Sequence, residues 1–194
     1  MRLPETTEVI LDERFTQPAF DRRLQWQNPP PTWGVDSARS ALAVQPAGAT
    51  DFWQETHYGF RADSGHFLFA ELGGDFTITT QVRFQPVHQY DQAGLMLRLD
   101  AHCWIKTSVE YEPRGPARLG AVVTNHGFSD WSVQDFPRDT REVSLRIRKE
   151  AQDFIVEFAE NETSEWKLLR IARVSRSRPS RGCYLQNPDS MMPG

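Results

Sequence analysis

One predicted strand carries the side chains best suited to binding a ligand. In residues 103–111, CWIKTSVEY, side chains alternate as a strand requires, and the odd-numbered ones suit a core. The opposite face carries an aromatic ring, a cation, a hydroxyl and a carboxylate, from Trp104, Lys106, Ser108 and Glu110. Such groups can hydrogen-bond the hydroxyls of a sugar while the indole stacks on its apolar C–H face. This face is therefore a candidate ligand site. Because the other side chains on it are polar, we expect Trp104 to be exposed.

Residues 92–99 supply the neighbouring strand of this site. Their leucines fall on one face, and the other face includes Gln92 and Arg98. A short polar turn joins the two runs, so we expect an antiparallel pair with Gln92, Arg98, Lys106 and Glu110 in one polar patch. Lys106 and Glu110 are separated by about 13 Å along the strand, at roughly 3.3 Å per residue, so they do not contact each other. Gln92 or Arg98 could partner either of them.

Further candidate residues lie at the predicted rim of this patch. The complete predicted ligand-binding set is Asp91, Gln92, Arg98, Trp104, Lys106, Glu110, Asp130 and Trp131. Asp91 either contacts a ligand or caps a turn through the backbone. Trp131, like Trp53, either stacks on a ligand or packs into the body of the protein.

The same residues allow a catalytic alternative. If the protein is an enzyme, Glu110 would be the acid or base of a glycoside hydrolase or lyase, with Asp91 or Asp130 as its partner. Hydrolysis of a glycosidic bond requires two carboxyl groups about 5–9.5 Å apart.

Other chemistries find little support. The sequence contains no GxGxxG, Walker-type or GxSxG motif, so we expect no nucleotide cofactor. No CxxC or paired Cys/His spacing indicates a metal site. His57 and His66 would need a third ligand such as Asp63 or Asp91, and we favour a role for each histidine in fixing a loop by hydrogen bonds. We therefore expect neither a metal nor another cofactor.

Composition limits the class of protein further. The 194 residues carry 22 basic and 26 acidic side chains, a formal net charge of −4, which argues against nucleic acid as the main partner. The arginines clustered near the C-terminus, Arg170, Arg173, Arg176, Arg178 and Arg181, are interpreted as a solvated strand end and loop, with an RNA-binding arm as the less favoured alternative. No apolar run reaches the roughly 20 residues of a membrane span, and no signal peptide is evident. We expect a cytoplasmic protein without a disulfide framework; the sequence indicates no oligomeric state.

The distribution of apolar residues predicts an all-β fold. Residues 75–84 alternate cleanly, and about a dozen short strands are separated by turn signals every 8–12 residues. The later candidates include residues 119–125, 131–136 and 183–185. This pattern is typical of a β-sandwich or jelly roll.

Five segments carry a resemblance to a known family. In chain order they are DFWQETHYGF (51–60), DSGHF (63–67), QYDQAGLMLR (89–98), WIKTSVEY (104–111) and SDWS (129–132). Together they resemble uncharacterised proteins, including the fungal regulation-of-enolase proteins, of the concanavalin A-like lectin/glucanase superfamily. The resemblance spans roughly residues 10–190. It implies a concanavalin A-like jelly-roll sandwich of two antiparallel sheets with a concave face, and we expect residues 1–194 to form this single β-sandwich domain.

Two departures from the superfamily qualify what the resemblance implies. Relatives continue past the segment at 182–189 with a glycine and a further strand, which leaves open that a C-terminal edge strand is missing here. The ExDxxE motif of the superfamily's glucanases is absent. The resulting hypothesis is a non-catalytic carbohydrate- or glycan-binding protein. The alternatives are a regulatory protein-interaction domain acting on a metabolic enzyme, and a glycoside hydrolase or lyase using Glu110.

Overall fold

The computed structural model describes residues 8–160 and 165–175, which form strands and no helix. None of these residues therefore belongs to a helix long and apolar enough to cross a membrane. Contacts divide the chain into two compact units, Met1–Phe76 and Thr77–Gly194. Two compact units can fold as one domain or as two, so the single domain expected over 1–194 stays a prediction.

The first unit contains three two-stranded antiparallel ribbons. They pair β1 (Gln25–Gln27) with β6 (Phe67–Phe69), β2 (Thr32–Asp36) with β3 (Ala41–Gln45), and β4 (Phe52–Gln54) with β5 (Arg61–Asp63). His66 links the connecting loops, because its Nε2 accepts a hydrogen bond from the Ala47 amide at 2.9 Å and its Nδ1 lies 2.6 Å from the Asn28 carbonyl oxygen. These contacts confirm the loop-fixing role predicted for His66.

The second unit contains two four-stranded antiparallel sheets. The front sheet has the order β11-β10-β9-β8, formed by β8 (Gln92–Asp100), β9 (Cys103–Glu110), β10 (Ala117–Asn125) and β11 (Phe128–Phe136). The back sheet has the order β14-β13-β12-β7, formed by β7 (Phe76–Arg83), β12 (Glu142–Glu150), β13 (Asp153–Ala159) and β14 (Lys167–Arg173).

The apolar faces of these two sheets form the core. Its fully buried members include Ile105 and Leu119 of the front sheet and Leu145 and Ile147 of the back sheet. Burying such a side chain stabilises the fold by roughly 1.5–3 kcal/mol, so this shared layer sets which face of every strand turns inward. The all-β sandwich predicted from the sequence is confirmed.

Two strands begin two or more residues earlier than the sequence predicts. β10 begins at Ala117 rather than at residue 119, and β11 begins at Phe128 rather than at residue 131. β10 is buried on both faces, which removes the alternation that would have marked its start. The strand candidate at 183–185, the C-terminal segment and the arginines at 176, 178 and 181 lie outside the described residues.

Two glycines allow the strands of the front sheet to approach one another closely. A Cβ on Gly94 would lie 2.7 Å from the Cα of Ser108 and would also strike the Thr107 carbonyl oxygen. A Cβ on Gly120 would lie 3.1 Å from Trp131 Nε1 and would strike the backbone oxygen of Ser132. Because neighbouring backbone blocks both positions, relief would require movement of a whole strand.

We expect Gly94→Ala and Gly120→Ala each to lower the free energy of unfolding by about 1–3 kcal/mol, as overpacking does. Gly34→Ala in β2 is the matched control, since a Cβ there meets no atom within 4 Å. Urea unfolding measures the difference. Front-sheet variants as stable as the control would contradict the steric explanation.

The back sheet carries a mostly buried ion-pair cluster on its outer face. Glu157 Oε2 accepts hydrogen bonds from Arg146 Nε at 2.8 Å and Arg148 Nε at 3.1 Å. Arg146 also lies over the Trp166 ring, 4.1 Å from its centroid. Burial by itself raises the pKa of Glu157, but the hydrogen bonds and charges of the two arginines outweigh it and hold the pKa below its ordinary value of 4.5.

We expect Glu157→Gln to lower the free energy of unfolding at neutral pH by about 1.5–3 kcal/mol, the range for a hydrogen bond to a charged group. A carboxyl with a lowered folded pKa stabilises above its unfolded pKa, and this contribution is lost as the pH falls through the folded value. The difference from wild type should therefore shrink below about pH 4.5 in urea unfolding at a series of pH values. Glu150→Gln, which affects an exposed ion pair with Arg148, is the control. A Glu157 effect that did not change with pH would contradict this assignment.

Candidate functional site

The registers of the front sheet fix which side chains share its outer face, called the front face here. Directly opposite residues of antiparallel strands point to the same side, so these side chains form rows across β8, β9, β10 and β11. The charged row contains Gln92, Glu110, Arg118 and Asp135. The small row contains Gly94, Ser108, Gly120 and Val133. The mixed row contains Met96, Lys106, Val122 and Trp131. The covered row contains Arg98, Trp104, Thr124 and Ser129.

The covered row closes one end of the front face. Trp104 and Thr124 are 0% exposed and Ser129 is 2% exposed. The hydroxyls of Thr124 and Ser129 hydrogen-bond each other at 2.7 Å, and Trp104 Nε1 donates to the Ala101 carbonyl at 3.3 Å. The expectation that Trp104 would be exposed in a groove is therefore wrong. Strand parity assigns a side chain to a face, but it does not indicate whether other parts of the chain cover that face.

At the other end of the front face the charged row and most of the small row are half-buried or exposed, whereas Gly120, Met96 and Val122 are buried. The small row, which lacks long side chains, lies between the charged row and the mixed row, and this arrangement is called the trough here, with the small row as its floor and the other two rows as its walls. Gly94 is exposed and Ser108 is half-buried, with its hydroxyl 3.3 Å from Gln92 Oε1. The trough crosses the four strands, and at Gly120 the indole of Trp131 lies over its floor, because Trp131 Nε1 is 3.1 Å from the position that a Cβ would take there.

Trp131 stands at the β11 end of the trough. It is 40% exposed, and the missing Cβ of Gly120 leaves room for its indole beside the sheet. The sequence left open whether Trp53 and Trp131 stack on a ligand or pack into the protein, and Trp131 is available for stacking. Trp53 is buried instead, and its Nε1 donates to the Thr56 carbonyl at 3.1 Å.

The charged row gives Glu110 its neighbours. Glu110 lies opposite Gln92 on β8 and opposite Arg118 on β10, and Arg118 forms an ion pair with Asp135. Of the two predicted partners, Gln92 is adjacent, whereas Arg98 lies opposite Trp104.

Lys106 has apolar cross-strand neighbours, because it lies opposite Met96 and Val122 in the mixed row. The predicted polar patch of Gln92, Arg98, Lys106 and Glu110 thus shares one face, as expected. Its members are distributed over three rows: Gln92 and Glu110 lie in the charged row, Lys106 in the mixed row and Arg98 in the covered row.

Arg118 and Asp135 are site residues that the sequence interpretation missed. The strand predicted over residues 119–125 excludes Arg118. Because residues two apart on a strand share a face, a strand extended back from Gly120 to residue 118 would have placed the arginine on the front face.

The two predicted acidic partners lie away from the trough. Asp91 Oδ2 accepts hydrogen bonds from the backbone amides of Val87 at 2.8 Å and His88 at 2.9 Å, which is the turn-capping alternative. Asp130 is opposite Val123 and so faces the core side, where Arg170 donates to its Oδ1 at 2.7 Å. Asp130 and Arg170 line a cleft of about 340 Å³. The two neighbouring rim candidates therefore lie on opposite faces of the sheet, Trp131 on the front face and Asp130 on the core side.

The trough is suited to recognition of a polar, ring-containing ligand. It combines an amide, a hydroxyl, a carboxylate and a guanidinium with one half-exposed indole. Among residues 8–160 and 165–175, no group of three or more histidine, cysteine or acidic side chains could hold a metal ion.

Comparison with known proteins identifies the relatives of this chain. It is 35% identical over 168 residues to "Regulation of enolase protein 1" of Saccharomyces cerevisiae, covering 87% of this chain and 80% of that protein. A crystal structure of a functionally unknown S. cerevisiae protein superimposes with a TM-score of 0.73 at 35% identity, covering 80% of this chain and 81% of the other.

Two bacterial enzymes share the fold at lower identity. A GH43 protein of Bacillus licheniformis gives a TM-score of 0.63, covering 88% of this chain and 32% of its own. A xylan β-1,4-xylosidase of Bacillus halodurans gives 0.61, covering 89% and 33%. At 16% identity each, they show the fold alone.

The family model described as "Protein of unknown function (DUF1349)" matches residues 26–192. The resemblance to the regulation-of-enolase proteins inferred from the sequence is thereby confirmed. The chain belongs to the DUF1349 family.

Proposed function

We propose that the protein is a non-catalytic carbohydrate-binding protein and that the trough of the front face holds a glycan. The observation that carries the proposal is the small row, a floor without long side chains between the charged row and the indole of Trp131. A sugar ring presents hydroxyls at its edge and C–H groups on its face. A trough with polar walls and one aromatic end is complementary to both.

Each wall has a distinct role in this proposal. Gln92, Glu110 and Arg118 are half-buried, which restricts their conformations and limits the entropy lost when they bind. Together they offer donors and acceptors to sugar hydroxyls. Trp131 provides an apolar surface that needs no hydrogen bond from the ligand.

The placement of the acidic side chains favours binding over hydrolysis. Neither predicted catalytic partner of Glu110 joins it in the trough: Asp91 is engaged by two backbone amides before β8, and Asp130 is engaged by Arg170 on the opposite face. Asp135 shares the charged row, but its carboxylate is ion-paired with Arg118, which lies on the strand between Asp135 and Glu110.

A second candidate is a regulatory protein-interaction domain, for which the same face would contact a metabolic enzyme. The observation that favours it is the name of the S. cerevisiae relative, a regulation-of-enolase protein. A location in the cytoplasm stays a prediction, and there protein partners are more abundant than free glycans. Charged rows suit protein interfaces as well as sugars, so the fold alone does not separate the two candidates.

A glycan panel tests the first candidate. Purified protein should bind at least one oligosaccharide or polysaccharide saturably. Trp131→Ala and Glu110→Ala should each weaken that binding about tenfold or more, equivalent to about 1.4 kcal/mol. Calorimetric titration of the best glycan measures the change.

Two control variants match these substitutions elsewhere. Trp33→Ala removes an indole that is 43% exposed, and Glu150→Ala removes an exposed carboxylate of the back sheet, so neither should alter glycan affinity. A turnover assay on the bound glycan separates binding from hydrolysis. Well-folded wild type without glycan affinity, or affinity equal in all variants, would contradict the proposal.

Purified enolase tests the second candidate. If the front face is a protein-binding surface, immobilised enolase should capture the chain saturably, and Arg118→Glu should reduce capture about tenfold or more. Arg39→Glu is the matched control, because Arg39 is also paired with an aspartate, at 3.3 Å from Asp36. Absence of saturable capture, or equal loss in both variants, would count against a specific interaction through the trough.

A further inference from the structure

The outer edge of β11 is open in a way that suits pairing with another strand. β11 pairs with β10 along its full nine residues without a bulge. No strand among the described residues pairs with its other side. Every residue from Asp130 to Asp135 is exposed.

This edge lacks most of the features that usually prevent strand pairing. Natural edge strands are blocked by proline, lysine, a bulge, shortness or an inward-pointing charge. β11 contains neither proline nor lysine and has a regular register, and its inward-pointing carboxylate, Asp130, is paired with Arg170. β8, at the other edge of the same sheet, does have an irregularity between Arg98 and Asp100. The contrast marks β11 as the pairing edge of the front sheet.

We propose that β11 is the interface of a homodimer. It pairs antiparallel with β11 of a second copy, and the two-fold axis passes midway between the Ser132 residues of the two copies. Dimers with this symmetry use the same surface on both copies. Directly opposite residues of an antiparallel pair share a face, so the residue at the two-fold axis must lie opposite the same residue of the second copy. Ser132 is the middle of Phe128–Phe136, and only an axis there pairs all nine positions.

The side chains of β11 are complementary to themselves in this register. Trp131 lies opposite Val133 of the second copy, an aromatic pair with a β-branched residue of the kind that stabilises sheets. Phe128 lies opposite Phe136, which brings two aromatic residues together at each end. Trp131 and Val133 are 40% and 43% exposed, so this pairing would cover apolar surface that is now open.

Charges are also compatible in this register. Asp130 lies opposite Gln134, and Asp135 opposite Ser129, so no two carboxylates face each other. Arg170 hydrogen-bonds Asp130 at 2.7 Å and Ser132 at 2.8 Å, which neutralises the inner side of the strand near the axis. An axis at Val133 would instead place Trp131 against Asp135.

This self-complementarity favours a second copy over an unrelated peptide as the occupant. The front sheets of the two copies would form one continuous eight-stranded sheet, twice the four strands of each. Trp131 of each copy would then lie beside Val133 of the other, at the end of its small row. The dimer thus adds an aromatic side chain to each trough, although its existence does not depend on what the trough binds.

Analytical ultracentrifugation without ligand tests the dimer. Wild type should dimerise reversibly at micromolar to submillimolar concentrations, and Val133→Glu should raise the dissociation constant about tenfold or more by placing a carboxylate opposite Trp131. Val44→Glu in β3 is the matched control, because Val44 is 42% exposed against 43% for Val133. A monomeric wild type, or a dimer unaffected by Val133→Glu, would overturn the proposal.

Cysteine cross-linking tests the position of the axis. Opposite Cα atoms in an antiparallel pair are about 4.5–5.5 Å apart, within disulfide range. In a Cys183→Ser background, Ser132→Cys should form disulfide-linked dimers under mild oxidation, with Cys103 buried and unreactive. Val133→Cys should not, because it would face Trp131. Equal cross-linking of both variants, or none, would overturn this register. Since no glycan is present, either failure leaves the carbohydrate proposal standing.

Discussion

The packing of two apolar sheet faces against each other is the constraint on which the front face depends. Ile105, Leu119, Leu145 and Ile147 are fully buried between the sheets. Once the odd-numbered side chains of β9 and β10 turn inward, their even-numbered neighbours must turn outward. A one-residue slip would bury Lys106 and Glu110 and expose Ile105, at a cost of several kcal/mol for the charges alone. The hydrophobic core therefore determines which polar side chains can meet a ligand.

The same logic explains how far the sequence could predict the site. Parity within one strand was sufficient to place Lys106 and Glu110 together on one face, and the short turn was sufficient to bring Gln92 beside Glu110. Burial of Trp104 was not predictable, because it depends on what lies above the sheet. Arg118 was missed because β10 is buried on both sides and its start gives no alternation signal. Asp130 and Trp131 were grouped as neighbours in sequence, although adjacent residues of a strand point to opposite faces.

The two glycines of the small row would couple the proposed ligand recognition to stability. Gly94 and Gly120 leave two of the four floor positions without side chains, and the backbone of the adjacent strands occupies the space that a Cβ would need. Widening or filling the trough by substitution at these positions therefore also displaces a strand. Changes in specificity are more readily obtained in the walls, at Gln92, Arg118 or Trp131, where partly exposed side chains tolerate replacement at small cost in stability.

The trough and the open edge of the front sheet meet at β11, and this position links their behaviour. Val133 belongs to the floor of the trough and Trp131 to its wall, yet both also face the outer edge of the sheet. A ligand that fixes the indole of Trp131 in one orientation changes the surface presented to a second strand. By thermodynamic reciprocity, a strand paired at that edge changes ligand affinity by the same factor. If both proposals hold, ligand binding in the trough and association through β11 are thermodynamically coupled, even though each would arise from a separate feature of the sequence.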